Sequence, residues 1–117
     1  MAVERRNDGK LIGHCGLART PADNKPLPEG LEIGWALAPH AWGAGYAVEA
    51  ARAVIDDGFV RHSVSEILAF TGAANLRSQA VMVRLGMTRA ADRDFDHPGL
   101  ADDHPLKRHI VFVASKP

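Results

Sequence analysis

The chain has 117 residues, and its 14 Lys and Arg balance its 14 Asp and Glu, giving a formal net charge of zero. That length fits one domain spanning 1–117, with a core of its own, and excludes two ordinary ones. A neutral balance removes the electrostatic case for nucleic-acid or membrane-surface binding, and the lone Cys15 excludes an internal disulfide framework and a cysteine-based zinc site.

No apolar run approaches a membrane span, and Met1–Arg6 has none of the features of a signal peptide; with the single cysteine this points to a cytoplasmic protein. In chain order, Ala2–Arg5 reads as a strand, Arg6–Lys10 as Asn/Asp/Gly turn chemistry, and Leu11–Leu17 as the return strand of a hairpin. Gly13 and Gly16 within that second strand suggest a bulge or a close backbone approach. Thr20–Gly30, with three prolines, is a surface loop. Leu31–Leu37 is a strand whose central Gly34 again suggests a bulge.

From Gly45 to Arg61, Ala47, Ala50, Ala51, Val54, Ile55, Gly58 and Phe59 recur at three- and four-residue steps, which predicts an amphipathic helix. Glu66–Thr71 is a short strand of the buried type, so strand, helix and strand form a βαβ unit with a parallel pair. Asn75 is placed to cap a helix over Leu76–Leu85. Gly86 is a natural C′ residue, with Met87 as the apolar contact of a Schellman motif. Asp92–Pro105 holds turns and charges, and His109–Ala114 is a closing strand. The fold class is α+β with a mixed sheet.

The segment His40–Ala50 is the most informative. A strand ends, Gly43 and Gly45 follow, and a long helix begins. Free N–H groups and the dipole at a helix N-terminus favour a phosphate, and glycines let the backbone approach it; no side-chain cation is required, and none is near. A tight strand-to-helix connection is the structural alternative. A P-loop is excluded because Tyr46-Ala47 stands where Lys and Ser or Thr are required. A Rossmann fingerprint is excluded because Val48 stands where the third small residue belongs, and no acidic residue precedes Glu66 at the expected distance.

Trp42-Gly43-Ala44-Gly45-Tyr46-Ala47-Val48-Glu49-Ala50 resembles the acyl-CoA motif of the GNAT superfamily of N-acetyltransferases, specifically its RimJ/RimL branch. His40 departs from the Gln or Arg usual at the motif's first position. Asn75–Met87 is similar to the branch's second motif, Asn-x-x-Ser followed by a helix and Gly, and Asp94–Pro98 and His104–His109 are similar to its C-terminal region.

The resemblance implies a GNAT fold with a mixed, mostly antiparallel sheet around a central βαβ unit. It also implies transfer of an acetyl group from acetyl-CoA directly to a primary amine, at a protein N-terminus or on a small molecule, with no metal. Trp42, Gly43, Ala44, Gly45, Tyr46 and Ala47 would cradle the pyrophosphate, and a backbone N–H near Leu37 or Ala38, on the bulged strand, would polarise the thioester carbonyl. Glu32 would be the base, against the alternative of a solvent-facing strand carboxylate. Asn75 would contact the cofactor near its pantetheine arm, and Ser78 would bind there too and serve as the acid, because Met82 and Val83 stand where many relatives carry a tyrosine. His97, His104 and His109 match no metal-ligand spacing, and Cys15 reads as a small buried residue.

Domains of this family begin with a strand and two helices ahead of the hairpin, about 35–60 residues by average element lengths, whereas Met1 falls at the hairpin's first strand. The expectation is therefore an N-terminally truncated domain with exposed apolar surface, pairing as a homodimer. The alternatives to catalysis are an acyl-CoA-binding module and a remnant acting through self-association.

Overall fold

The structure is a computed structural model that describes residues 2–4, 11–20, 30–37, 45–105 and 107–117. The order of elements is β1 (Ala2–Glu4), β2 (Leu11–Thr20), β3 (Gly30–Leu37), α1 (Tyr46–Arg61), β4 (Glu66–Gly72), α2 (Leu76–Arg84), β5 (Thr88–Arg89), a 3₁₀ turn (Ala91–Arg93), β6 (Phe95–Asp96) and β7 (Arg108–Ser115). Among the described residues the strands form one sheet ordered β1-β2-β3-β4-β7-β5, with β6 also on β7. Only β3 and β4 run parallel; the other pairs are antiparallel. The expected hairpin and βαβ unit are both present, while the expected turn at Arg6–Lys10 and most of the Thr20–Gly30 loop lie outside the described residues. Thr20 and Gly30 themselves extend β2 and β3.

The bulge expected in β3 is corrected by its register with β2. It runs unbroken from Gly13↔Leu37 to Thr20↔Gly30, with Gly16 facing Gly34. In β2 both expectations for the glycine at 13 hold: a Cβ there would lie 2.0 Å from the carbonyl oxygen of Ala36, and on the β1 side Val3 pairs with Gly13 but Glu4 with Leu11, so position 12 of β2 is an extra residue in the ladder. A second feature matters more for the site. The parallel ladder registers at Leu31↔Ile67 and Glu32↔Leu68, and β3 and β4 then run on without further register between them among the described residues.

Both helices cover one face. Ala51, Val54 and Ile55 of α1 and Met82 of α2 bury against Cys15, Leu31, Ile33, Ile67, Ala69, Ile110 and Phe112. These are the alternate positions of each strand, as a pleated sheet requires. The other face carries a smaller cluster of Leu68, Phe95, Val111 and Val113 under Phe70 and Ala90. Farther along that face, on β2 and β3, His14, Ala18, Gly34 and Ala36 are exposed, and among the described residues the exposed large apolar side chains are Leu11, Val60, Leu76 and Val83. Burial pushes the Cys15 thiol above its ordinary value, consistent with a packing role.

The end of α2 is the Schellman motif expected from Gly86-Met87. The Met87 N–H donates to Met82 O at 3.1 Å and the Gly86 N–H to Val83 O at 3.0 Å, with Met82 and Met87 both buried in the core.

Asp92–Pro105, expected to be turns alone, also contains the 3₁₀ turn and β6, and β5 precedes it. A polar clasp fixes this region. Arg89 pairs in a two-pronged contact with Asp94, Asp94 Oδ1 accepts the Val111 N–H at 3.1 Å, and Arg89 donates to Val111 O at 3.1 Å. The Arg89 guanidinium, with the Val111 N–H as a smaller cause, holds the Asp94 carboxyl below the usual carboxylate range. A carboxylate with a depressed folded-state pKa adds stability that is complete above its unfolded value of about 3.9 and is lost as pH falls through the lower folded value. Asp94→Asn is therefore expected to cost about 2 kcal/mol at pH 7, or roughly 8 °C in Tm. In thermal unfolding across pH, the gap from wild type should close below about pH 4.

Candidate active site

The C-terminal end of β3 and the N-termini of α1 and α2 meet around a cavity of about 320 Å³. β3 supplies Trp35, Ala36 and Leu37, α1 supplies Ala47, and α2 supplies Asn75, Arg77, Ser78 and Val81. Asn75, Ser78 and Val81 fall at three-residue steps on one helix face. Four residues singled out in the sequence, Leu37, Ala47, Asn75 and Ser78, are thus brought together. Trp35 forms part of the wall and packs on the core.

Gly45 precedes α1 at φ 79°, in the left-handed region where a glycine carries no Cβ penalty. The helix then begins at Tyr46, one residue later than the periodicity indicated, and its first registered bond is Glu49 N–H to Gly45 O at 3.0 Å. By helix geometry the N–H groups of Tyr46, Ala47 and Val48 have no carbonyl within the helix to bond. Of these three residues, Ala47 lines the cavity. Tyr46 packs on the core. Ala38, Trp42, Gly43 and Ala44 lie outside the described residues.

Asn75 caps α2, its Oδ1 accepting the Ser78 N–H at 3.1 Å. Asn75→Ala is expected to lower stability by about 1 kcal/mol, with Asn75→Ser restoring most of it in thermal unfolding.

Glu32 does not line the cavity. Its neighbours Leu31 and Ile33 bury toward the helices, so alternation places Glu32 on the opposite face. It is half-buried, with Oε2 inaccessible to solvent, so it is not the plain solvent-facing strand carboxylate that was its alternative. It also occupies the last registered position of the β3–β4 ladder, where the two strands begin to part.

One feature differs from the sequence reading. Arg77 brings a cation to a lining that is otherwise neutral among the described residues, correcting the expectation that none is near. Its sequence signal is slight, because only the meeting of two helix ends shows which first-turn side chains share a cavity. The late histidines form packing contacts: His109 stacks on Phe95 at 5.3 Å and lies 5.4 Å from His97.

A family model for the acetyltransferase (GNAT) domain matches residues 1–88. The chain belongs to this family. It is 34% identical over 85 residues to an uncharacterized protein of Bacillus subtilis, YkkB, covering 73% of this chain and 48% of that one. It is 32% identical over 84 residues to an Aspergillus fumigatus FsC-acetyl coenzyme A-N(2)-transacetylase, covering 69% of this chain and 36% of that one. The chain thus spans half or less of the length of these relatives. The solved structure of a GNAT-family acetyltransferase from Bacillus anthracis superposes with a TM-score of 0.77 at 24% identity, over 97% of this chain and 64% of that one. The fold is the GNAT fold, α+β around a mixed sheet. No helix among the described residues is long and apolar enough to cross a membrane.

Proposed function

We propose that this domain transfers an acetyl group from acetyl-CoA to a primary amine, in the manner of the RimJ/RimL branch. The observation that carries the reading is the convergence of β3, α1 and α2 on one cavity whose walls hold Leu37, Ala47, Asn75 and Ser78. The backbone around Trp42–Ala47 binds the diphosphate, with the N–H groups of the first turn of α1 as donors. Asn75 binds the pantetheine arm. A backbone N–H near Leu37 or Ala38 holds the thioester oxygen as charge builds on it, a contribution of the kind that costs about 3–4 kcal/mol to lose.

The two faces of the sheet divide the work. The donor occupies the helix face, and the amine approaches from the face of Glu32, at the point where β3 and β4 separate. Glu32 takes a proton from the ammonium, directly or through water, so that the nitrogen lone pair is available. The amine nitrogen bonds to the carbonyl carbon and the carbon–sulfur bond breaks; the Ser78 hydroxyl gives its proton to the departing sulfur and is reprotonated by the second proton that the nitrogen sheds in becoming an amide. The acceptor is a protein N-terminus or a small-molecule amine.

Thermal shift with acetyl-CoA, followed by thiol release with a panel of amines and N-terminal peptides, tests this. Stabilisation together with amine-dependent thiol release is expected. Stabilisation without release reduces the domain to an acyl-CoA-binding module, and the absence of both rejects the reading.

A further inference from the structure

A coenzyme A thioester carries a phosphomonoester of about −1.5 to −2 charge in addition to its diphosphate. The N-terminus of α1 offers the equivalent of about half a positive charge. That of α2 has already committed one N–H to Asn75 Oδ1. The chain has no net charge with which to attract an anion. Glu49, in the first turn of α1, lies about 200° around the helix from Ala47 and is exposed, so it faces away from the cavity.

Arg77 is placed to change this balance. It lines the cavity with Asn75 and Ser78, and also the open cleft beside it with Ala74, Asn75 and Leu76. It therefore stands where a long ligand passes from the cavity to the surface. Its position in the helix is also telling. The first turn of α2 contains no acidic residue and does contain this cation, so its charge stands beside the helix end whose dipole favours an anion.

Building on the acyl-CoA reading, we propose that Arg77 is the phosphate-recognising residue of this site. Its guanidinium pairs with a phosphate of the nucleotide arm and sets a preference for coenzyme A thioesters over pantetheine thioesters. The guanidinium fork matches phosphate oxygens in a way a neutral side chain cannot reproduce.

The test is calorimetric titration of wild type, Arg77→Gln and Arg77→Lys with acetyl-CoA, acetyl-dephospho-CoA and S-acetyl-pantetheine. Arg77→Gln should weaken acetyl-CoA binding by about tenfold at low salt, less at high salt, and leave S-acetyl-pantetheine affinity unchanged. Arg77→Lys, which keeps the charge but not the fork, should fall between wild type and Arg77→Gln. A penalty that disappears with acetyl-dephospho-CoA identifies the 3′-phosphate as the partner, and one that persists identifies the diphosphate. Wild-type affinity for acetyl-CoA in Arg77→Gln overturns the assignment, as does an equal loss toward S-acetyl-pantetheine. Failure of the wild-type chain to bind acetyl-CoA rejects the acyl-CoA reading itself, and the Arg77 assignment with it.

Discussion

Glu32→Gln is expected to lower turnover about a thousandfold, within the range for loss of a general base, while affinity for acetyl-CoA stays at the wild-type value. The two effects separate because Glu32 is not among the residues that line the cavity. The substitution is nearly isosteric, so the ladder position opposite Leu68 and the half-buried volume are retained and only the capacity to take a proton is removed. Steady-state kinetics at saturating amine, alongside calorimetric titration with acetyl-CoA, reads both quantities. An unchanged rate at saturating amine would remove Glu32 from the chemistry. Loss of acetyl-CoA affinity would mean instead that the carboxylate supports the cavity.

Ala47→Asp is expected to weaken acetyl-CoA binding at least a hundredfold without destabilising the fold. Residue 47 is in the first turn of α1 and lines the cavity. A carboxylate there favours the helix through its dipole by about 0.3–1 kcal/mol. The same carboxylate lies a few ångströms from where the diphosphate would rest, and two like charges about 4 Å apart repel by about 4 kcal/mol at an effective dielectric of 20. The variant is thus expected to melt at or above the wild-type temperature and yet fail to bind. Binding within threefold of wild type would place the anion elsewhere. A lowered melting temperature would mean that the side chain distorts the turn.

Much of this architecture was legible because it repeats. The stripe Ala51, Val54, Ile55, Gly58 is buried as the helical period required, and Asn75 and Gly86-Met87 close α2 at both ends with the bonds their chemistry suggests. The misreadings have physical reasons. β5 and β6 have two residues each, too few to display a period, and exist because β7 offers them an edge. Gly34 suggested a bulge in β3, whereas it faces Gly16 in an unbroken register with β2; in β2 the register shift and the close approach to Ala36 both fall at Gly13, as expected. Arg77 carries no local signature because its importance arises from α1 and β3, distant in sequence. For Glu32 the face followed from alternation, but the burial of Oε2 depends on the packing of the whole sheet.

The short parallel ladder also has a mechanical consequence. β1–β3 form one antiparallel unit and β4 with β7 another, and among the described residues two registered residue pairs join them. The sheet is thus two antiparallel plates meeting at a narrow seam, with α1 packed against both. A molecule seated in the cleft where the plates diverge would act as a cross-brace. Its binding would stabilise the folded assembly against unfolding by about 2.7 kcal/mol when present at a hundred times its dissociation constant.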